Sequence, residues 1–296
     1  MCGIVGLFLK TPRLEPQLGG LLSGMLGTMT DRGPDSAGFA VYGREAAGRK
    51  ITLRGPDAPS LRRTIAALQA ELGLVLDVQH RDTHAVLVVP EDRETEIRAW
   101  LAANGGADVV GSGQRMEIYK EVGLPASVAG RFDLAAMAGT HGIGHTRMAT
   151  ESAVTTNGAH PFSTGPDQCL VHNGSLSNHN ALRRSLRREG LTFATDNDSE
   201  VAAGYLTWRM REGASLKGAL EASLADLDGF FTFVVGTRDG FAVLRDPIAC
   251  KPAIMAETED YVAFGSEYRA LVGLPDIDGA RVFEPEPATV YAWERH

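Results

Sequence analysis

From Cys2 to Leu9 every residue is small or apolar, so the segment reads as a central β-strand covered on both faces and not as an edge strand with one wet side. A chain that begins inside its own core must build layers on either side of that strand. Pro12 and Pro16 end it. Leu18, Leu22, Met25 and Met29 then recur at helical spacing, which predicts a helix despite its glycines. Arg32 to Gly38, RGPDSAG, is expected to be a turn or loop because Gly33 and Pro34 suit neither helix nor strand. Phe39 to Tyr42 starts another strand.

The stretch 44–139 reads as a small inserted α+β module. Helices are expected over Leu61 to Leu72 and Glu91 to Ala102, with a strand over Ala85 to Val89. A further strand is expected over Met116 to Tyr119, after a glycine-rich turn at Gly111 and Gly113. His141 to Glu151 then reads as a strand that ends at a ligand site, and Cys169 to Val171 as a short strand leading into His172–Asn178. Asn178 or Asn180 is placed to cap the next helix, Asp198 opens another, and Ser215 caps a third. Phe230 to Val235, Phe241 to Leu244 and Tyr261 to Phe264 read as consecutive antiparallel strands, and Thr289 to Trp293 closes the domain. Strands, then helices, then strands without regular βαβ alternation make an α+β chain, and two sheets between helix layers satisfy that order.

Composition narrows the function. The 296 residues suit one large domain or two modest ones. Their 29 basic and 37 acidic side chains leave a net charge of −8, and the basic residues are scattered singly or in pairs. That argues against a nucleic-acid partner. No apolar run approaches the roughly 18 residues of a membrane span. The three cysteines, Cys2, Cys169 and Cys250, are too dispersed for a disulfide scaffold or a CxxC metal pair, which points to a reducing, cytoplasmic compartment. No basic segment or cleavage site marks a signal peptide, so the chain is expected to be mature from its second residue onward. His141 and His145 would stand about 13 Å apart along a strand, too far to share an ion. Gly111-Ser112-Gly113 lacks the third glycine of a dinucleotide loop. No metal or cofactor is expected in this chain.

The reactive candidates gather elsewhere. Loss of Met1 would leave Cys2 with a thiol and a free α-amine on one residue; the amine's reference pKa of about 8 lies below the thiol's of about 8.5, so it can take the thiol proton directly or through one water. Taken alone, Cys2 also fits a small buried side chain at a strand start. Asn173-Gly174 can offer a side-chain amide and a backbone N–H to an oxyanion, or can simply be a turn. Arg147 can clamp a carboxylate through two hydrogen bonds, and Asp198 can accept from an ammonium. A substrate held at both charges is an α-amino acid.

Six ordered motifs carry a resemblance: CGIVG at Cys2 to Gly6, RGPDSAG at Arg32 to Gly38, GHTRMAT at Gly144 to Thr150, NGAHPF at Asn157 to Phe162, VHNG at Val171 to Gly174 and NDSE at Asn197 to Glu200. On these the chain resembles the class II glutamine amidotransferases, N-terminal-nucleophile hydrolases with a four-layer αββα sandwich. More narrowly, it resembles the small amidotransferase subunit of glutamate-synthase-like and N-methylglutamate-synthase-like systems. The resemblance implies that Cys2 is the nucleophile and that Asn173 and Gly174 form the oxyanion hole. It implies that Arg147 binds the carboxylate of L-glutamine and Asp198 its ammonium, that Arg32 organises the pocket, and that His160 belongs to a loop that orders over the substrate. Lys251-Pro252 and Ser266-Glu267 would be structural. Met148 stands where many relatives carry tryptophan, which puts gating in question more than hydrolysis.

No acceptor segment follows these motifs, so the chain is expected to release ammonia for another subunit of a hetero-oligomer. By resemblance that partner is a synthase carrying FMN and an iron–sulfur cluster. Two rival readings are a catalytically inactive regulatory or assembly subunit, and an N-terminal cysteine amide hydrolase for a different substrate. The second would not need Arg147 and Asp198 together.

Overall fold

The computed structural model describes residues 2–149 and 153–295. The first part of the chain runs β1 (Gly3–Leu9), α1 (Leu18–Gly27), β2 (Ser36–Tyr42), β3 (Arg49–Arg54), α2 (Ala58–Leu72), β4 (Asp77–Arg81), β5 (His84–Val89), α3 (Glu94–Asn104), β6 (Asp108–Gly113), β7 (Met116–Val122) and α4 (Pro125–Arg131). The second part runs β8 (His141–Arg147), β9 (Phe162–Gly165), β10 (Gln168–Leu176), α5 (His179–Arg188), α6 (Asp198–Arg211), α7 (Leu216–Asp226), β11 (Gly229–Gly236), β12 (Gly240–Arg245), β13 (Ile254–Glu257), β14 (Tyr261–Gly265), β15 (Arg281–Phe283) and β16 (Val290–Glu294).

Two sheets face each other. One has the order β15-β13-β14-β1-β8-β2-β7 and the other β16-β12-β11-β10-β9. β1 lies between β14 and β8, antiparallel to both. Its residues alternate between two cores. Ile4 and Phe8 meet Val171 of β10 and Phe241 and Val243 of β12 between the sheets. Val5, Leu7 and Leu9 pack outward on Leu18, Leu22 and Leu26 of α1. This is why the segment carries no polar side chain: neither face sees water, and each large aliphatic or aromatic group buried there contributes about 1.5–3 kcal/mol. On the far side α5, α6 and α7 cover the second sheet, with Tyr205, Leu206 and Leu220 against Leu170, Phe231 and Phe233. The layers are therefore αββα, as the motif resemblance implied.

A third, four-stranded sheet of order β4-β5-β3-β6 has its own apolar cluster under α2 and α3, built on Leu61, Ile65, Leu68, Ile97 and Leu101. It does not take up all of 44–139. β7 pairs with β2 in the seven-stranded sheet over Ser36–Tyr42. Ile118 enters the core between the sheets and Tyr119 the outer one, so both faces of β7 are buried in the main sandwich.

Other departures from the sequence reading have local causes. Gly111 and Gly113 lie in β6 and not in a turn. The chain reverses just after them because the Asp167 carboxylate accepts from the backbone N–H groups of Gln114, Arg115 and Met116 at 2.6–2.9 Å. Ser36–Gly38 belongs to β2, paired on both sides by β7 and β8, so the loop ends at Asp35. Asn178 occupies the N-cap position of α5, but its side chain makes no bond to the helix; its amide ties Asp226 and Asp228 across to β10. β12 and β14 fall in different sheets. The Arg245 guanidinium at the end of β12 donates to the carbonyls of Lys251 and Pro285, which helps steer that crossover. β4 went unseen because it is an edge strand with no apolar run.

Candidate functional site

Cys2 immediately precedes β1, and its carbonyl is gripped from two sides. Arg32 Nε donates to it at 3.0 Å and Asn173 Nδ2 at 3.2 Å. Below it, Ile4 N donates to Ser266 Oγ and Ser266 N to the Ile4 carbonyl, both at 2.9 Å. The Cys2 backbone is thus fixed, while its half-buried sulfur lies 3.9 Å from the Met148 carbonyl. Arg32 is held in turn by Glu267, Nη1 to Oε1 at 2.7 Å, and Glu267 also pairs with Arg269 at 2.7 Å. Arg32 therefore acts on the cysteine. Sequence alone did not connect it with Glu267, because the two meet only where the β14 end packs beside the turn after α1. Met1, whose removal the amine-base chemistry requires, and Thr150 and Glu151 lie outside the described residues.

Asn173 and Gly174 sit inside β10, which continues to Leu176 and pairs with β11 throughout. The expected strand end at Val171 is displaced by five residues, to Leu176. Gly174 has φ +154°, and a Cβ there would fall 2.0 Å from the Phe230 carbonyl. Only glycine lets β10 and β11 approach this closely.

Arg147 is the last residue of β8, and its carbonyl accepts from Asp35 N at 3.1 Å. The side chain is buried, with its guanidinium beside Gly158. Asp198 opens α6, where the helix dipole favours a carboxylate, and Asn197 caps that helix by accepting from Ser199 N at 2.9 Å. Asp198 Oδ2 accepts from Leu176 N at 2.9 Å and Oδ1 from Ser199 Oγ at 3.2 Å. Ser199 Oγ also shares a hydrogen bond with His172 Nδ1 at 2.9 Å. His145 Nε2 donates to the His172 carbonyl at 3.1 Å, so β8, β10 and α6 are stitched together behind Asn173.

His160 is buried and stacked on His145, ring centroids 3.9 Å apart, and neither of its ring nitrogens bonds another described residue. Burial pushes the His145 imidazole down to about 3 and that of His160 well below its ordinary value. Burial also lowers His172, against the opposing pull of Asp198. His84 and His141, elsewhere in the core, are likewise brought by burial to about 3. Among the described residues no three His, Cys, Asp or Glu side chains converge on a metal position.

These histidines make a stability prediction. Above pH 6.5 the folded and unfolded chains both carry them neutral. Between pH 6.5 and about 3 the unfolded chain binds protons that the fold refuses, so stability falls as pH falls, by on the order of 1 kcal/mol per pH unit for each histidine. The urea midpoint is expected to drop steeply from pH 7 to pH 5. Equal midpoints at those two values would show that the imidazoles are solvated in the fold.

Comparisons with known proteins agree with this architecture. The family described as a glutamine amidotransferase domain matches residues 145–273. The glutamine amidotransferase-like protein GlxB of Rhizobium meliloti strain 1021 is 63% identical over 300 residues, covering 99% of this chain and 98% of its own. A putative glutamine amidotransferase of Methanothermobacter thermautotrophicus is 32% identical, with coverage of 98% and 99%. Among solved structures, glutamine phosphoribosylpyrophosphate amidotransferase from B. subtilis aligns with a TM-score of 0.61 at 20% identity, covering 99% of this chain and 49% of that one. The allosteric regulatory enzyme of purine biosynthesis aligns with a TM-score of 0.64 at 20% identity and is covered to 47%. The chain thus spans about half the length of those two proteins, and at that identity the likeness concerns the fold. Among the described residues no helix is long and apolar enough to cross a membrane. End-to-end identity with the Rhizobium protein, the family match from β8 through β14 and a shared αββα sandwich make this chain a member of the class II glutamine amidotransferases.

Proposed function

We propose that the chain hydrolyses L-glutamine to L-glutamate and ammonia through a γ-glutamyl thioester on Cys2 and passes the ammonia to a synthase subunit. The observation that carries this reading is the double grip on the Cys2 carbonyl by Arg32 and Asn173. It fixes the sulfur's backbone beside an amide donor whose second N–H is not needed for that bond.

With Met1 gone, the α-amine takes the thiol proton and the thiolate attacks the side-chain amide carbon of glutamine. The negative charge on the former carbonyl oxygen is met by Asn173 Nδ2 and the Gly174 N–H. The C–N bond breaks as the α-ammonium returns its proton, and neutral ammonia leaves. Water, deprotonated by the same amine, then attacks the thioester, releasing glutamate and restoring the thiol. Arg147 grips the substrate carboxylate and Asp198 its ammonium, which favours free glutamine over other amides.

The test is direct. Purified chain with Met1 removed is expected to form glutamate and ammonia in equal amounts from glutamine, and to hydrolyse glutaric acid monoamide, which lacks the ammonium, about a hundredfold or more slowly. Equal rates on the two would favour the broader amide-hydrolase reading, and no hydrolysis of either would favour an inactive assembly subunit. The partner is proposed as a glutamate-synthase-like or N-methylglutamate-synthase-like subunit carrying FMN and an iron–sulfur cluster, within a cytoplasmic hetero-oligomer. Purification at native levels, followed by mass spectrometry of what accompanies the chain, checks that part.

A further inference from the structure

Thr155–Pro161 forms a strap between Arg147 and the seam where the small sheet meets the large one. On its inner side, Gly158 lies so close to the arginine that a Cβ there would stand 2.9 Å from Arg147 Nη1. On its outer side the strap is held at three points. Lys120 of β7 is buried, and its Nζ donates to the carbonyls of Ala159 at 2.9 Å, Asn157 at 3.3 Å and Pro161 at 3.5 Å. Glu121, next along β7, accepts from Thr156 Oγ1. Arg54 of β3, in the small sheet, donates from Nη1 to Asn157 Oδ1 at 3.3 Å.

The Lys120 arrangement is unusual in its charge balance. The ammonium spends its three protons on neutral carbonyls of one short loop and lies over the Phe162 ring at 4.7 Å. Burial brings it down to about 8. A buried ammonium costs free energy that an apolar side chain would not, so its presence calls for something that only a three-way donor supplies. Here that is a fixed path for five consecutive residues whose backbone forms one wall beside Arg147.

We propose that Lys120, supported by Glu121 and Arg54, is a positioning residue that holds the strap and through it the Arg147 guanidinium, so that β7 of the large sheet, with one contact from the small sheet, sets the affinity of the carboxylate pocket. The inference rests on the reading of Arg147 as the carboxylate clamp. The small sheet touches the same loop through Arg54 of β3 alone, at Asn157.

The experiment compares wild type, Lys120→Met and Gly158→Ala in the full chain, by hydrogen exchange of the 155–160 amides and by glutaminase kinetics. In Lys120→Met, strap exchange is expected to accelerate and KM for glutamine to rise roughly tenfold or more, with kcat held within about threefold. Gly158→Ala keeps the three anchors and displaces the guanidinium, so KM rises without faster exchange. Arg54→Ala removes one anchor at the surface and is expected to give a smaller change of the same kind, which keeps the test alive should Lys120→Met fail to fold. Faster strap exchange with unchanged KM would overturn the proposal, as would KM and kcat worsening together or strap exchange equal to wild type. A wild-type chain that binds glutamine without hydrolysing it defeats the hydrolysis reading alone, since calorimetric affinity then replaces KM. One that does not bind glutamine overturns both.

Discussion

Cys2→Ala is expected to reduce glutamine hydrolysis by a factor on the order of 10⁴ or more, because in the proposed mechanism it removes the sulfur on which the thioester forms. The fold should barely register the change. The sulfur is half-buried and its hydrogen bond to a described residue, the Met148 carbonyl, is long at 3.9 Å, so the cost in stability is expected to stay below about 1 kcal/mol. The other two thiols do not offer a substitute. Cys169 is buried between the sheets with its thiol pushed up to about 12 by burial, and Cys250 is exposed on the chain after β12. Ammonia release measured beside a thermal melt separates the outcomes. A folded Cys2→Ala protein that still releases ammonia at the wild-type rate would remove the nucleophile assignment and the mechanism with it.

Asn173→Ala should act on kcat and leave KM nearly unchanged. An amide donor aimed at the oxyanion strengthens as charge develops in the transition state, and loss of one such donor costs about 10²–10³-fold in rate. Asn173 also donates to the Cys2 carbonyl at 3.2 Å, but Arg32 holds that oxygen independently at 3.0 Å. The cysteine therefore keeps most of its placement when Asn173 is truncated. Steady-state kinetics on glutamine decide the matter: a loss of less than about fivefold in kcat, or a change confined to KM, would mean that the amide serves the cysteine backbone and not the reacting oxygen.

Much of this site was legible residue by residue. Cys2 stands out because of its position in the chain, and Asp198 because it opens a helix, both features of a few neighbouring residues. Asn173-Gly174 is legible as a pair, but its backbone conformation is not. An NG dipeptide between apolar runs ordinarily marks a turn, and here β11 pairs with it and carries the strand on to Leu176. Lys120 gave no signal, since a lysine in a strand is ordinarily solvated; its burial follows from the Asn157–Pro161 loop folding over β7. Arg32 was expected to shape the pocket, and its attachment to Glu267 and the Cys2 carbonyl became visible only when β14 and β1 lay side by side.

Taken by itself, the order of residues determined that β1 is buried on both faces, where most helices begin and which residue carries the sulfur, because periodicity and capping depend on neighbours within a turn or two of chain. Tertiary structure alone decided which strands share a sheet, that β7 leaves the small sheet for the large one, and that Arg32, Asn173 and Glu267 converge around Cys2. Those contacts join segments far apart in the chain, and they exist only once two sheets have closed over a common core.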